Sequence, residues 1–215
     1  MNKPVAARRA VVRRETRETR VSVELVLEPG PVDVRTGIGF LDHLLSSLAF
    51  HGGLSLTLSC DGDLEVDDHH SAEDCALALG AALGQALGDK AGIRRFGSAY
   101  APLDESLARA VVDLSGRPFS CVELGLTREA IGGLACENVA HVVSSLATAA
   151  MATIHLDVIR GQNDHHRAEA AFKALALALR DAMAVDPSRG AAIPSTKGTL
   201  GSPDAASMAS HEAAP

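Results

Sequence analysis

A chain of 215 residues, 47% apolar and 22% charged, is long enough to bury one substantial core, and its composition excludes a disordered protein. The formal net charge of −7 argues against a general nucleic-acid binder, because such surfaces are usually basic. No apolar run approaches the ~18 residues that a membrane span needs, and residues 1–20 lack the apolar segment of a signal peptide. Glu15 and Glu18 argue against a transit peptide, so we predict a cytoplasmic protein.

Strand patterns occur along most of the chain. Alternation of apolar and polar residues predicts strands over 21–27 and 54–60, and again over 152–159. Between them, residues 108–124 predict two strands that pair with each other and are joined near Gly116.

Helical spacing of apolar residues predicts helices around residues 41–48, 72–87 and 172–183. With only 3% aromatic residues and no Trp, Ala, Leu and Val must fill the core. The motif DPSRG at 186–190 is expected to end the last helix, and the small polar residues of 201–215 are expected to be disordered.

Two sequence blocks occur twice, in the same order and at nearly the same separation. HLLSSLA begins at His43 and HVVSSLA at His141, while DHHSAE begins at Asp68 and DHHRAE at Asp164. Chance can supply one such block, but two in the same order indicate an internal duplication.

The repeat predicts the fold class. We expect two similar halves, residues 1–95 and 96–190, that together form one compact domain. Each half would contain a mixed or antiparallel sheet with two helices on one face. The chain is therefore predicted to be an α+β protein, a pseudo-twofold sandwich rather than a doubly wound parallel sheet.

The repeated block carries the chemistry. Helical residues three and four apart share a face, so a histidine of each HH pair can meet the glutamate that follows it. Adjacent histidines diverge by ~100° around a helix, so each pair suits two different metal ions. Asp68 and Asp164 are candidate acceptors for imidazole N–H groups. The candidate ligands are His43, His69, His70, Glu73, His141, His165, His166 and Glu169.

Imidazole and carboxylate donors suit Mn, Fe, Ni, Co or Zn, and the absence of thiolates from the set argues against a structural zinc site. The cysteines stand singly and form no CxxC pair, which predicts buried reduced thiols. They are Cys60, Cys75, Cys121 and Cys136.

Several segments resemble, in order, those of the imidazoleglycerol-phosphate dehydratase family, over about residues 14–200. The most specific are TGIGFLDHLLSSLAFHGG, GDLEVDDHHSAEDCALALG and GQNDHHRAEAAFKALALALR; RRFG, PLDESLARAVVDLSGRP and PSTKG also match. The resemblance implies a duplicated α+β fold and dehydration of imidazoleglycerol phosphate to imidazole acetol phosphate in histidine biosynthesis. It also implies two Mn(II) ions per chain and self-association into a 24-subunit shell with active sites between subunits.

The resemblance further implies a role for individual residues. Glu18 would be the general acid/base. One Mn ion would be held by His69, Glu73, His141 and His166, and the other by His43, His70, His165 and Glu169. The phosphate would be bound by Arg95, Arg117, Ser195 and Lys197, the last two in a phosphate-contacting loop over 191–200. The chain departs from the family at Ala140, where a glutamate usually precedes the histidine.

Two other functions remain open at this stage. The same ligand set could serve a dimetal phosphate-ester hydrolase, which would release inorganic phosphate rather than form a ketone. It could also belong to a metal-storing or structural shell protein, which would bind metal without turnover. Glu18, Arg95 and Lys197 argue against the second alternative, because storage alone needs neither an acid/base nor a phosphate site.

Overall fold

The computed structural model describes residues 8–200 and contains two mixed four-stranded sheets and four helices. The first six elements are β1 (Arg9–Glu15), β2 (Thr19–Val26), β3 (Val32–Arg35), α1 (Gly39–Gly52), β4 (Ser55–Gly62) and α2 (His69–Leu87). The remaining elements are β5 (Phe96–Leu103), β6 (Ser106–Asp113), β7 (Phe119–Glu123), β8 (Ala130–Ile131), β9 (Leu134–Ala135), α3 (Cys136–Ala149), β10 (Thr153–Arg160) and α4 (Asp164–Met183).

The two sheets have the same topology. The first has the order β1-β2-β4-β3, and the second has the order β5-β6-β10-β7. β4 in the first sheet and β10 in the second each lie between an antiparallel and a parallel neighbour. The β8–β9 hairpin has no counterpart in the described part of the first half, residues 8–95. The predicted α+β fold with duplicated half-domains is confirmed, whereas the half boundaries at 95 and 190 stay a prediction.

One predicted strand pairing is wrong. β6 and β7 are adjacent in sequence but do not pair, because β10 lies between them, antiparallel to β6 and parallel to β7. The chain turns at Gly116, where φ is +78°. It then forms β7 on the opposite side of β10 from β6. Local alternation identifies a strand but not its partner, and here the partner follows only after α3.

The helices lie between the two sheets. α2 packs on β1 and β2, and α4 packs on β5 and β6, while α2–α3 and α1–α4 contacts join the halves. The core consists mainly of Leu, Ala and Val, as composition predicts. Burying each leucine contributes roughly 1.5–3 kcal/mol. The alanines of α4 let it lie close to the sheet, since all seven are fully buried: Ala168, Ala170, Ala171, Ala174, Ala176, Ala178 and Ala182.

Both helices that carry an HH pair begin where the motif predicts. α2 starts at His69, whose backbone N–H donates to the Asp67 carboxylate at 2.8 Å. α4 starts at Asp164, and the Asn163 side chain caps it by accepting from the His165 N–H at 2.9 Å. Each histidine pair therefore projects from the first turn of a helix.

Within residues 8–200, no helix is both long and apolar enough to cross a membrane. The tail predicted to be disordered, 201–215, lies outside the described residues.

Candidate metal centres

The first candidate centre joins α2 to α3. His69 and Glu73 come from α2, and His141 comes from the middle of α3; each offers a ligand atom within 4.8 Å of the others. The His141 Nε2 atom lies 3.0 Å from Glu73 Oε1. The rings of His69 and His141 are stacked, with centroids 4.8 Å apart.

The second candidate centre joins α1 to α4 in the same way. It consists of His43 from α1 with His165 and Glu169 from α4. Glu169 Oε2 lies 2.9 Å from His43 Nε2 and 3.2 Å from His165 Nε2. Lys173 Nζ is 2.8 Å from the other oxygen of Glu169. Although burial opposes it, hydrogen bonds from Lys173 and His43 bring the pKa of Glu169 to about 2, which keeps this carboxylate ionised.

The donor set of both clusters fits a divalent metal ion. Two donors bound at right angles, each at about 2.1 Å from a metal, lie about 3 Å apart. The nitrogen–oxygen distances of 2.9, 3.0 and 3.2 Å match that separation, although ordinary hydrogen bonds have the same length. Two imidazoles and one carboxylate leave coordination positions open in each cluster, so each can accept further ligands.

His70 and His166 do not join either cluster in the described part of the chain. Their rings are turned away from the preceding histidines, at interplanar angles of 72° and 90°. His70 Nδ1 lies 3.1 Å from an Asp63 oxygen, and His166 Nδ1 lies 2.8 Å from Glu105 Oε2. These hydrogen bonds raise the pKa of both histidines. The structure thus brings together three of the four ligands predicted for each ion.

The predicted role of Asp68 and Asp164 as imidazole acceptors is wrong. Asp68 accepts from the Ala135 N–H at 2.7 Å, and Asp164 accepts from the Thr127 and Arg128 N–H groups at 2.9 and 2.8 Å. Asp68 therefore joins the start of α2 to β9, and Asp164 joins the start of α4 to the segment before β8. The aspartate before each HH pair thus has a structural role in both halves. Other residues accept hydrogen bonds from the imidazole N–H groups.

Glu18 lies in the turn between β1 and β2. Thr16 Oγ1 accepts from the Glu18 and Thr19 N–H groups at 3.1 and 3.0 Å, which holds the turn in place. The Glu18 side chain is half exposed, and its Oε1 lies 3.9 Å from His70 Nε2. This carboxylate is accessible and adjacent to a candidate ligand.

Arg95 connects the second sheet to the segment before Lys197. Its guanidinium forms a fork with Asp113 at 2.7 and 3.0 Å and donates to the Pro194 carbonyl at 2.9 Å. Ser195 Oγ accepts from the Lys197 N–H at 3.2 Å. The structure therefore brings three of the four predicted phosphate residues to one region. Arg117 makes no hydrogen bond to that segment within residues 8–200; its N–H donates to Ser115 Oγ at 3.1 Å.

Four polar residues that contact candidate ligands were not predicted from the sequence. Lys173 could have been found, because it lies one helical turn after Glu169. Asn138, whose Oδ1 is 2.9 Å from His69 Nδ1, is far away in sequence and follows no local pattern. Asp63 and Glu105 lie in loops, where spacing carries no such information.

All four cysteines are free, as predicted, but only two are buried. Cys75 and Cys136 are buried, Cys60 is partly exposed and Cys121 is exposed. The expectation of four buried thiols is wrong for Cys121, because it lies on the outer face of the second sheet, beside His155.

Comparisons with known proteins all point to one family. Residues 36–179 match the family model described as imidazoleglycerol-phosphate dehydratase. A protein of that name from Phaffia rhodozyma is 53% identical, with 93% of this chain and 100% of the relative covered. The Saccharomyces cerevisiae protein of that name is 48% identical, with 89% and 98% covered.

Two solved structures are also similar to this chain. The Staphylococcus aureus imidazoleglycerol-phosphate dehydratase gives a TM-score of 0.74 at 37% identity, covering 81% of this chain and 98% of that one. The Pyrococcus furiosus protein, solved in complex with (S)-C348, gives 0.76 at 36% identity, covering 88% and 100%.

Proposed function

Because the chain belongs to the imidazoleglycerol-phosphate dehydratase family, whose members are hydro-lyases, we propose that it dehydrates imidazoleglycerol phosphate to imidazole acetol phosphate in histidine biosynthesis. The observation that carries the proposal is the pair of matched clusters, each with two imidazoles and a carboxylate. The substrate contains an imidazole, a ring whose two nitrogens can each ligate a metal ion.

We propose that the clusters hold two Mn(II) ions. His69, Glu73 and His141 would hold one ion and His43, His165 and Glu169 the other. Bound there, the ions would act as Lewis acids toward the imidazole of the substrate and as a template for it. His166 would complete the first set of ligands and His70 the second.

The fourth ligands are proposed to come from a neighbouring subunit. His70 follows His69 on α2 but points away from it, and His166 follows His165 on α4 in the same way. Suppose that the first cluster of one chain faces the second cluster of another. His70 of the first chain would then bind the ion at the second chain's cluster, and His166 of the second chain would bind the ion at the first chain's cluster. This exchange would place the active sites at interfaces, as in the proposed shell of 24 subunits.

Other residues of the chain are proposed to bind the phosphate and move protons. Arg95, Ser195 and Lys197 would bind the phosphate, since guanidinium, hydroxyl and ammonium donors suit its oxygens. Arg117 would join them on substrate binding. Glu18 would take the proton from carbon and return a proton to the leaving hydroxyl, because it is exposed next to His70.

The chain is proposed to act in the cytoplasm. Its four free cysteines suit a reducing compartment, because exposed thiols such as Cys121 would be liable to oxidise in an oxidising one.

Metal removal tests the proposal. Protein stripped with a chelator should lose dehydratase activity and regain it when Mn(II) is restored, because the open clusters have lost the ions that bind the imidazole. Formation of the ketone product is measured in parallel with release of inorganic phosphate. Failure to recover activity in correctly assembled protein contradicts the proposal, and phosphate release without ketone would indicate a hydrolase instead.

A further inference from the structure

The two predicted ligands that lie outside the clusters, His70 and His166, have similar surroundings. Each ring has a carboxylate at hydrogen-bond distance from Nδ1, Asp63 at 3.1 Å for His70 and Glu105 at 2.8 Å for His166. Each also has a second carboxylate 3.9 Å from Nε2, Glu18 for His70 and Asp104 for His166. A separation of 3.9 Å is too long for a hydrogen bond, so Nε2 remains available in both rings.

The Nδ1 partners occupy different positions in the two halves. Asp63 follows β4 and lies just before α2, whereas Glu105 lies in the turn between β5 and β6. The turn that corresponds to Glu105 contains Glu18, which approaches Nε2 rather than Nδ1. The segment that corresponds to Asp63 is Gly161–Asn163, which has no carboxylate. Duplication of one ancestral contact therefore does not explain both carboxylates.

Backbone contacts hold Glu105 through its carboxylate and Asp63 through its main chain. Glu105 Oε1 accepts from the Gln162 and Asn163 N–H groups at 3.1 and 2.9 Å, which leaves Oε2 facing His166. The Asp63 N–H donates to the Glu18 carbonyl at 3.2 Å. The Glu105 carboxylate is therefore tethered directly, whereas the main chain of Asp63 is held and its carboxylate is placed beside His70.

A carboxylate next to Nδ1 controls which ring nitrogen carries the proton. It accepts from Nδ1–H, and in that tautomer the Nε2 lone pair is free to bind a metal ion. An imidazole without such a partner can turn or place its proton on Nε2, where it blocks ligation.

From this geometry we propose that Asp63 and Glu105 are positioning residues, which hold His70 and His166 as Nδ1–H tautomers with Nε2 directed toward a metal ion. The inference rests on the proposed function, because it concerns the fourth ligand of each ion. It assigns to two loop carboxylates a role that neither the repeated motif nor their own sequence position indicates.

Substitutions that preserve shape provide the test. In Glu105→Gln, the amide oxygen can keep the two backbone contacts while its NH2 group faces Nδ1, which favours the wrong tautomer. Asp63→Leu keeps the size of the side chain and removes the acceptor. Asp63→Asn can turn its oxygen toward Nδ1 and keep the hydrogen bond. Asp33→Asn, an exposed carboxylate paired with Arg35, removes the same charge outside the site.

The measurement is a titration of metal-stripped, full-length protein with Mn(II) alone, with unbound ion followed by its electron paramagnetic resonance signal. Unsubstituted protein and Asp33→Asn should bind two ions per chain. Glu105→Gln and Asp63→Leu should each weaken one of the two binding steps by ~10–100-fold, a typical effect of losing such a partner. Asp63→Asn should restore most of the loss seen in Asp63→Leu.

Recovery of Mn(II) binding in Asp63→Asn, compared with Asp63→Leu, is the outcome that a purely structural role would not produce. Thermal unfolding and assembly size are measured to confirm that the variants fold. Binding in Glu105→Gln and Asp63→Leu equal to that of the unsubstituted chain would overturn the inference and leave the proposed function intact. Failure of the unsubstituted chain to bind Mn(II) would overturn both.

Discussion

Glu18 illustrates how a single side chain can be suited to proton transfer. The Thr16 hydroxyl holds its turn, the carboxylate remains half exposed, and His70 lies within 3.9 Å. An accessible carboxylate can accept and release protons as charge moves nearby. In the proposed site, this combination makes Glu18 the proton carrier.

Replacing Glu18 with Gln should lower kcat by roughly 10²–10⁴-fold, because the amide keeps the shape of the side chain but cannot carry a proton. KM and the number of Mn(II) ions bound should change little, since Glu18 is in neither cluster. Steady-state kinetics and metal analysis check this. Glu65→Gln, in the exposed loop after β4, is the matched control and should behave like the unsubstituted chain. A Glu18→Gln variant with near-normal kcat would show that another group moves the proton.

At the residue scale, the sequence predicted candidate ligands better than their supporting contacts. The duplicated motif identified His69, Glu73, His165 and Glu169, because ligands on one helix face have a spacing that can be read directly. Asn138 and Glu105 could not be found in this way, since a contact between distant residues exists only after the chain has folded.

At the scale of elements, the helix starts at the two HH pairs were predicted, whereas some edge strands were missed. The polar residues before each HH pair cap or begin a helix, and this is local chemistry. β1 was missed because Ala10 is its only fully buried residue, and β3 because it has only four residues. Edge strands bury little, so they leave a weak apolar pattern.

The contact between α2 and α3 depends on a glycine. A β-carbon on Gly80 would lie 2.6 Å from the Leu146 carbonyl oxygen and 2.9 Å from the Ala149 β-carbon. These helices carry the first cluster, with His69 and Glu73 on one and His141 on the other. The distance between the two helices therefore determines whether the three ligands meet.

Gly80→Ala should destabilise the protein by about 1–3 kcal/mol, the usual result of overpacking a close contact, and should weaken Mn(II) binding at the first cluster. Gly84→Ala, one turn later on α2, is the matched control. Its β-carbon would have no neighbour nearer than 3.8 Å, so better helix propensity should stabilise the protein by up to ~1 kcal/mol. Denaturant unfolding measures both changes. Equal destabilisation by the two substitutions would contradict the packing argument.

For the whole molecule, the proposed exchange of ligands makes one active site depend on two chains. One chain would supply His69, His70, Glu73 and His141, and the other would supply the remaining four ligands. The twofold repetition of sheets and helices makes this geometrically simple, since the two halves would present equivalent helix ends to a partner.

Two inactive variants should therefore restore activity when they are co-expressed. With His70→Ala and His166→Ala chains, roughly a quarter of the sites carry every ligand if chains mix at random. Activity per metal site, compared with each variant alone, measures the recovery. The control pair, His70→Ala with His69→Ala, damages the same side of the interface and should recover nothing. Equal behaviour of the two pairs would show that the ligands are not shared in this way.

The unequal carboxylates beside His70 and His166 have one more consequence. A site with perfect twofold symmetry would present the same surroundings to both nitrogens of an imidazole, and the ring could enter in either of two orientations. Only one of them places the side chain of the substrate next to the proton carrier. A short aspartate on one side and a tethered glutamate on the other make the two sides unequal, so the proposed site would not present the same surroundings to both nitrogens.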